Sequence, residues 1–186
     1  MNETDKYILN AIKTAVWSGF YDAGDVQQLI DDLLEDDANE AMLRSAVAEE
    51  FAAKTAAEAS WPDETDCDRL DRVFESLNAR GIIALQNTGY TMSDGLHDVA
   101  FVLHEQGRKN VQGYCFYHGQ DLERAVAGEG LKLAFGGLED DATQRVAVGN
   151  AVRDALESKG FEVQWNGDPE VRISVPQLDW KRRRSV

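Results

Sequence analysis

Residues 113–135 read GYCFYHGQDLERAVAGEGLKLAF, with a strand-type run on either side of a short helical segment. The aromatic run at 113–117 favours a strand, because aromatic side chains pack well on a pleated, half-buried surface. Residues 131–135 alternate as a strand with one buried face does. We therefore predict two consecutive strands connected through a helical turn over 122–126.

The chain before this segment carries a further strand and a helix. A short apolar run at 82–85 predicts the strand. The loop after it leads to Ser93, a suitable N-cap, and the helix that begins there should end at Gly107. Glycine is common at this position because it readily adopts the left-handed conformation that ends helices.

The chain after this segment continues with one more helix and a hairpin. The helix begins at Asp141 or Thr143 and ends at Gly160. Two alternating runs then follow, 161–165 and 171–175, with a cluster of turn residues between them. Two alternating runs separated by turn residues predict a β-hairpin.

The order of these elements predicts the fold class. From residue 82 onward it is strand, helix, strand, strand, helix, strand and one extra strand. This order predicts an α+β fold, with a ferredoxin-like split β-α-β antiparallel sheet and an extra C-terminal hairpin strand. In such a unit the first two strands run parallel with another strand between them, so their C-terminal ends open on the same edge of the sheet.

An acidic N-terminal helical cap is predicted over residues 1–62, as about three helices with narrow apolar stripes. Asp25 is the expected N-cap of the second helix. The third should stop before Trp61-Pro62, because proline disfavours helical geometry in the residue before it. We assign 63–178 to the α+β domain and 179–186 to a basic tail that we expect to be disordered.

The charge of the chain is concentrated at one end. The formal net charge is −15, and residues 1–66 hold 16 acids and 4 bases. This balance argues against direct nucleic-acid binding, which depends on clustered Lys and Arg. The acidic block either engages a basic protein partner or forms a solvated surface that keeps the chain soluble.

Cysteine usage and hydropathy favour a cytoplasmic protein. Cys67 and Cys115 lie far apart, as in proteins whose thiols stay reduced. Two cysteines and three histidines give no metal-ligand spacing of the finger type, so we expect no metal and no cofactor. We also expect no membrane association, because no apolar run is long enough to cross a bilayer and the acidic N-terminus is unlike a secretory signal.

The candidate site follows from the predicted strand edge. The loops after the first two strands, 86–95 and 118–121, are rich in hydrogen-bonding side chains and lead into helix N-termini, which favour anions. They predict a polar cleft for a small anionic or polar ligand. The alternative is purely structural, since Ser93 and Asp121 suit ordinary N-caps, and glycine and asparagine are ordinary loop residues. The candidate ligand-binding residues are Asn87, Tyr90, Ser93, Asp94, His118, Gln120 and Asp121.

Catalytic chemistry has only weak candidates. His118 and Asp121 could form an acid–base pair, and Cys67 or Cys115 could act as a nucleophile beside a histidine. The remaining histidines, His97 and His104, are seven residues apart, too far for a one-turn zinc pair. No phosphate-binding loop, dinucleotide fingerprint or nucleophile elbow is present. We assign no catalytic residue, and the balance leans away from an enzyme.

Four segments of the chain are distinctive: CDRL (67–70), LQNTGYT (85–91), GYCFYHGQD (113–121) and FEVQWNG (161–167). They resemble an uncharacterised bacterial family, one of the numbered domains of unknown function. The resemblance implies no activity and no site residue. At the level of fold, the chain is also similar to the regulator of ribonuclease activity B type, in its acidity and its predicted sheet.

Two functions remain open on these observations. The first is a non-catalytic binding or regulatory protein that uses its acidic helices against a basic partner. The second is a small-molecule binder or an enzyme that uses the two polar loops. A cleft lined by those loops favours the second, and loops packed shut favour the first.

Overall fold

The structure of the chain is a computed structural model that describes residues 1–139 and 141–183. This described part contains seven α-helices and four β-strands, which confirms the mixed α+β class. The chain divides into two compact units. The first comprises Met1–Thr65 and the C-terminal segment that starts at Trp180, and the second comprises Asp66–Asp179.

The first unit is built from three capped helices: α1 (Glu3–Ser18), α2 (Ala23–Leu33) and α3 (Glu40–Glu58). Helix α3 ends before Trp61-Pro62, as predicted. The N-cap of α2 is Asp22 rather than Asp25, which is the third helical residue of a capping box. The prediction of Asp25 failed because both acids of a capping box suit a helix start.

The apolar stripes of α1, α2 and α3 bury one another. The amide of Asn39, the N-cap of α3, donates to the buried carboxylate of Asp5 at 2.8 Å, which ties the start of α3 to α1. The unit therefore has its own hydrophobic core, although the charged residues Asp5, Lys54 and Arg182 are also buried in it. The buried residues of that core are Ile8, Ile12, Ala15, Val16, Val26, Ile30, Leu43 and Val47.

Residues 180–183 of the C-terminal segment are packed against the rest of the first unit. Trp180 and Arg182 are 9% and 8% exposed. The indole Nε1 of Trp180 donates to the carbonyl of Ser18 at 3.2 Å, and the guanidinium of Arg182 lies 4.6 Å from the ring centre of Phe20. This packing differs from the disorder expected for 179–183, because the aromatic groups give the arginines partners. The rest of the predicted tail, 184–186, lies outside the described residues.

The second unit alternates helices and strands around one sheet. Its strands β1 to β4 are four, four, seven and three residues long, and helices connect the first three of them. In chain order the elements are α4 (Asp66–Ala79), β1 (Ile82–Leu85), α5 (Met92–Gln106), β2 (Gly113–Phe116), α6 (Gly119–Val126), β3 (Leu131–Gly137), α7 (Ala142–Ser158) and the three-residue β4 (Ile173–Val175).

The sheet has the order β1-β2-β3-β4 and is mixed. Strands β1 and β2 are parallel neighbours, whereas β3 and β4 are added antiparallel. The expected split β-α-β arrangement is therefore wrong in one respect, since no strand lies between β1 and β2. Strand β3 pairs with the edge of β2 that faces away from β1, and the order of elements along the chain does not determine which of the two edges it takes.

Helices cover both faces of the sheet. Val99 of α5 packs with Phe116 and Ala134 on one face. Side chains alternate across a strand, so Cys115 and its partner Phe135 face the other side. That side carries α4 and α7, which contact each other and the strands. On the opposite face, α5 contacts β1 and packs through Val99 on β2 and β3.

The free edge of β1 is closed by a side chain. The amide group of Asn78 donates to the carbonyl of Ala84 at 3.0 Å and accepts from its N–H at 2.9 Å. This pairing imitates a neighbouring strand and protects an edge that could otherwise pair with another chain.

The predicted hairpin strand at 161–165 is reduced to one bridge. Gln164 and Ser174 exchange two backbone hydrogen bonds, of 2.8 and 3.0 Å. Trp165 packs edge-on against Phe135, with 5.3 Å between ring centres. The alternation that predicted a strand thus reflects side chains packed on the sheet rather than a ladder of backbone bonds.

Candidate functional site

The two polar loops lie together at one edge of the sheet. Strands β1 and β2 run parallel, so their C-terminal ends share that edge, as predicted. The loops are bonded to each other: Thr88 N–H donates to the carbonyl of Tyr117 at 3.1 Å, Gly119 N–H to that of Gly89 at 3.0 Å, and Gln120 N–H to that of Tyr90 at 3.2 Å. Loop carbonyls therefore accept hydrogen bonds from the first two backbone N–H groups of α6, which were expected to favour an anion.

Tyr90 covers this junction. A Cβ atom on Gly119 would stand 2.7 Å from the ring atom Cδ2 of Tyr90, so the absence of a side chain there lets the ring lie against α6. The Tyr90 hydroxyl donates to the carboxylate of Glu123 at 3.1 Å. About half of Tyr90 is exposed, and its ring forms the outer surface of the closed loop edge.

Asp94 is the third helical residue of the capping box that begins α5. Its carboxylate accepts from the N–H and the hydroxyl of Thr91, both at 2.9 Å. The hydrogen bond from the Thr91 backbone is the main cause that lowers the pKa of Asp94. Thr91, and not Ser93, is the N-cap of α5, and Ser93 is exposed within the first turn. The prediction of Ser93 was two residues late because Thr91 and Ser93 both suit a cap.

Asn87 and Gln120 belong to the two bonded loops. Asn87 is half-buried with a left-handed backbone (φ 48°), and Gln120 is exposed. A ligand-binding role for the predicted loop residues stays a prediction.

Asp121 is the centre of a buried charge cluster beneath the loops. It is fully buried, and Arg124 donates to its Oδ1 at 2.7 Å while Arg172 donates to its Oδ2. Burial alone would raise the pKa of Asp121, but hydrogen bonds from Arg172 and Arg124 outweigh it and lower the pKa. Asp121 is the third residue of α6, whose N-cap position is held by His118. Asp121 is therefore not the N-cap that the sequence suggested.

His118 contacts the same carboxylate. Its Nε2 lies 3.2 Å from Oδ2 of Asp121, and the side chain is almost completely buried. Its Nδ1 has no hydrogen-bond partner among the described residues. Burial lowers the pKa of His118, against the opposite effect of Asp121, so the imidazole is neutral at pH 7. With two arginines and one carboxylate, the cluster keeps one excess positive charge.

The predicted His118–Asp121 pair thus exists, but its carboxylate is committed to two arginines. A general base needs a carboxylate or imidazole that can reach a substrate proton, and both side chains are buried. The cluster fits a structural junction better than an acid–base pair. Sequence reasoning missed Arg172, because 51 residues separate it from Asp121.

A separate cleft of about 160 Å³ opens on the α5 face of the sheet. Its walls are the start of α5 with Met92 and Leu96, the β2–β3 surface with Tyr114, and the segment 169–172. Burial is the main cause that raises the pKa of Tyr114. Arg172 belongs to both the cleft and the Asp121 cluster, so the two features adjoin.

The remaining candidates have structural positions. Cys67 and Cys115 are buried free thiols, and burial raises the pKa of Cys115 to about 12, so the proposed thiol nucleophiles are not supported. His97 and His104 are exposed on α5. Within residues 1–139 and 141–183, no group of three or more His, Cys, Asp or Glu is arranged to hold a metal ion. No helix in that same part has the length and apolar character to span a membrane.

Comparison with known proteins gives one match. The model of a family described as "Domain of unknown function (DUF6891)" matches residues 1–184. The match covers both compact units and confirms the resemblance to a domain of unknown function. Searches of curated proteins and of solved structures found no match. The likeness to the regulator of ribonuclease activity B type is accordingly not shown.

Proposed function

Since the chain belongs to the DUF6891 family, for which no function is established, we propose that it is a non-catalytic binding protein whose acidic helical unit engages a basic protein partner. The observation that carries the proposal is the closed loop edge. Its amide donors are bonded within the chain, and its one carboxylate–imidazole pair is buried and matched by arginines. These contacts favour a non-catalytic protein over a small-molecule site at this edge.

The surface that would bind the partner lies between α2 and α3. Residues 31–40 carry six acids, all of them exposed, and the nearest base is Arg44, which pairs with Asp31 and Glu40. We call residues 31–40 the acidic segment. The helices have already buried their apolar stripes in their own core, and the carboxylates of this segment remain exposed to solvent. A dense negative surface steers basic partners and speeds their association.

The C-terminal segment gives a second argument that this unit can bind a basic partner. Arg183, in the same unit, lies 5.8 Å from the ring centre of Trp61 and donates to the carbonyl of Pro62 at 2.7 Å. Arg182 stacks on Phe20. The surface of this unit therefore accommodates arginine side chains of its own chain through aromatic faces and carbonyl groups.

A capture experiment tests the proposal. Tagged wild-type protein and the variant Asp32→Asn, Glu35→Gln, Asp36→Asn are used to recover partners from a lysate of the source cells, with quantitative mass spectrometry as the readout. We expect at least one basic protein to be recovered by the wild type and depleted at least five-fold with the variant. Its direct affinity should fall as salt is raised, because exposed charges are screened.

The matched control removes three charges from the other unit. Glu75, Glu105 and Glu129 are exposed there, and their change to Gln gives the same net charge as the first variant. The control should recover the basic protein as the wild type does. Equal depletion with both variants, or no protein that depends on the acidic segment, would refute the proposal.

The cytoplasm is the compartment we propose for this interaction. Two buried cysteines without a disulfide fit a reducing environment. Fractionation of the source cells, with the tagged chain followed by immunoblot, tests the location.

One observation supports the alternative hypothesis of a small-molecule site at the loop edge. The buried Nδ1 of His118 has no partner among the described residues, and buried polar atoms are normally hydrogen-bonded. A thermal-shift screen of wild type and His118→Ala tests it. A ligand that stabilises only the wild type would place a small-molecule site at the loop edge.

A further inference from the structure

The cleft on the α5 face has an apolar wall that the fold does not require. Leu96 and Val171 both line it and are 40% and 43% exposed. Met92 and Ala134 add further apolar surface. When a ligand removes exposed apolar side chains in such a concavity from water, the burial of apolar surface favours binding.

The floor of the cleft is aromatic. Tyr114 stacks with Phe116, with 6.0 Å between ring centres and 27° between planes. A Cβ atom on Gly136 would stand 2.4 Å from the Tyr114 hydroxyl oxygen, so the ring lies flat across β3 only because residue 136 is glycine. The flat ring gives the cleft a face on which an apolar group can rest.

The cleft has a guanidinium group, that of Arg172, in its lining. Glu170 is paired with Arg145 at 2.8 Å. Arg172 uses one terminal nitrogen for both Asp121 and the carbonyl of Lys132, the latter at 2.9 Å. Its Nε is buried and has no hydrogen-bond partner among the described residues. Asp121 is shared with Arg124, so the arginines together exceed the carboxylate by one charge.

The size of the cleft limits the ligand. Its volume of about 160 Å³ is below the range of roughly 300–1,000 Å³ usual for drug-sized ligands. One ring or branched aliphatic group with a single charged group fits this space better than a nucleotide or a sugar phosphate. Guanidinium groups bind carboxylates with matching geometry.

We propose that the cleft binds a monocarboxylate that carries one small apolar group, with the carboxylate at Arg172 and the apolar group beside Leu96 and Val171. The same chemistry is present in a free small acid and in the C-terminus of a peptide with an apolar last residue. The site lies wholly in the second unit, so it is independent of the acidic segment.

Phenylacetate is the probe, and phenylacetamide is its neutral analogue. Binding is followed with amide-resonance shifts of the labelled full chain. We expect phenylacetate to shift resonances of β2, β3 and the start of α5, and the amide to bind at least ten-fold more weakly. Equal binding of acid and amide, or no shift at these positions with millimolar phenylacetate, would overturn the proposal.

Two variants of α5 locate the site. Leu96→Trp places a large side chain in the cleft wall and should weaken phenylacetate binding at least ten-fold. Phe101→Trp enlarges an exposed side chain on the same helix outside the cleft lining and should leave binding unchanged. If both variants bind alike while circular dichroism shows both folded, the cleft is not the site.

A peptide pair separates the two sources of the carboxylate. Acetyl-Gly-Gly-Phe is tested with a free C-terminus and as its C-terminal amide, each in competition with phenylacetate. Displacement by the free peptide alone identifies a protein C-terminus as a ligand that the cleft accepts. Binding of phenylacetate without displacement by either peptide identifies a free small acid, and displacement by both peptides contradicts carboxylate recognition.

Discussion

The guanidinium of Arg172 donates a hydrogen bond to the buried carboxylate of Asp121. Arg172 directly precedes β4, and Asp121 lies in the first turn of α6, so one ion pair joins two elements 51 residues apart. Arg124 and His118 complete the contacts of the carboxylate. This relationship turns the predicted catalytic pair into a junction that holds the sheet and the loop edge together.

Removing the charge of Asp121 should destabilise the fold strongly. Asp121→Asn leaves two arginines beside a neutral amide, and breaking a buried ion pair at one partner costs about 3–5 kcal/mol. Urea denaturation should show that loss in the free energy of unfolding, while the control Glu129→Gln, at an exposed position, stays within about 0.5 kcal/mol of wild type. A change in Asp121→Asn as small as that of the control would contradict the junction.

The neutral buried His118 should make stability depend on pH below about 6.5. Burial lowers its pKa in the folded state below the ordinary 6.5, so the unfolded chain takes up this proton first as the pH falls. The contribution is complete above pH 6.5 and is lost as the pH falls toward the folded-state pKa. The unfolding free energy should drop between pH 7.5 and 5.5.

The variant His118→Gln isolates that effect. Its drop in unfolding free energy between pH 7.5 and 5.5 should be smaller than that of the wild type. His97→Gln, at an exposed position on α5, should retain the wild-type drop. If both variants show the wild-type slope, His118 is not the group that titrates.

Both thiols should be unreactive in the folded protein. Burial raises the pKa of Cys115 to about 12, and Cys67 is 1% exposed. The thiolate is the reactive form of cysteine, and a raised pKa leaves little thiolate at neutral pH. Iodoacetamide labelling followed by peptide mass mapping should modify neither residue at pH 7.5 and both in urea. Rapid labelling of either one under native conditions would be evidence against their burial.

Gly95→Ala should weaken the fold although alanine is the better helix former. A Cβ atom at residue 95 of α5 would stand 2.3 Å from the ring of Phe116. Overpacking of this kind costs about 1–3 kcal/mol, which exceeds the gain of about 1 kcal/mol in helix propensity. Thermal denaturation should show a lower Tm, whereas Ser93→Ala, exposed in the same turn, changes it little. A higher Tm for Gly95→Ala would show that α5 does not lie this close to β2.

Local signals predicted the elements well. The strand runs 82–85 and 113–117 correspond to β1 and β2, and Gly107 ends α5 as expected. The N-caps were placed two or three residues late at Asp25, Ser93 and Asp121. At all three starts the third helical residue of a capping box is an acid, and this residue is Asp25 in α2 and Asp121 in α6. Composition alone does not separate such a residue from the cap.

Pairing between elements was harder to predict. Two side-by-side parallel strands and two separated ones give the same order along the chain, so the position of β2 beside β1 depends on distant contacts. The packing of Trp165 on Phe135 produced an alternation like that of a strand. The same limit applies to the site, since nothing local to Arg172 indicates that it reaches Asp121.

The most direct test of the proposed binding function is zero-length carbodiimide cross-linking in a lysate of the source cells, with mass-spectrometric mapping of the joined residues. Carbodiimide joins carboxylates to lysines that are in contact, so it reports the binding surface itself. We expect cross-links from Asp32, Glu35 or Asp36 to lysines of a basic protein, and we expect these cross-links to disappear at high salt. Cross-links spread evenly over the exposed acids of both units, with none enriched in the acidic segment, would contradict it.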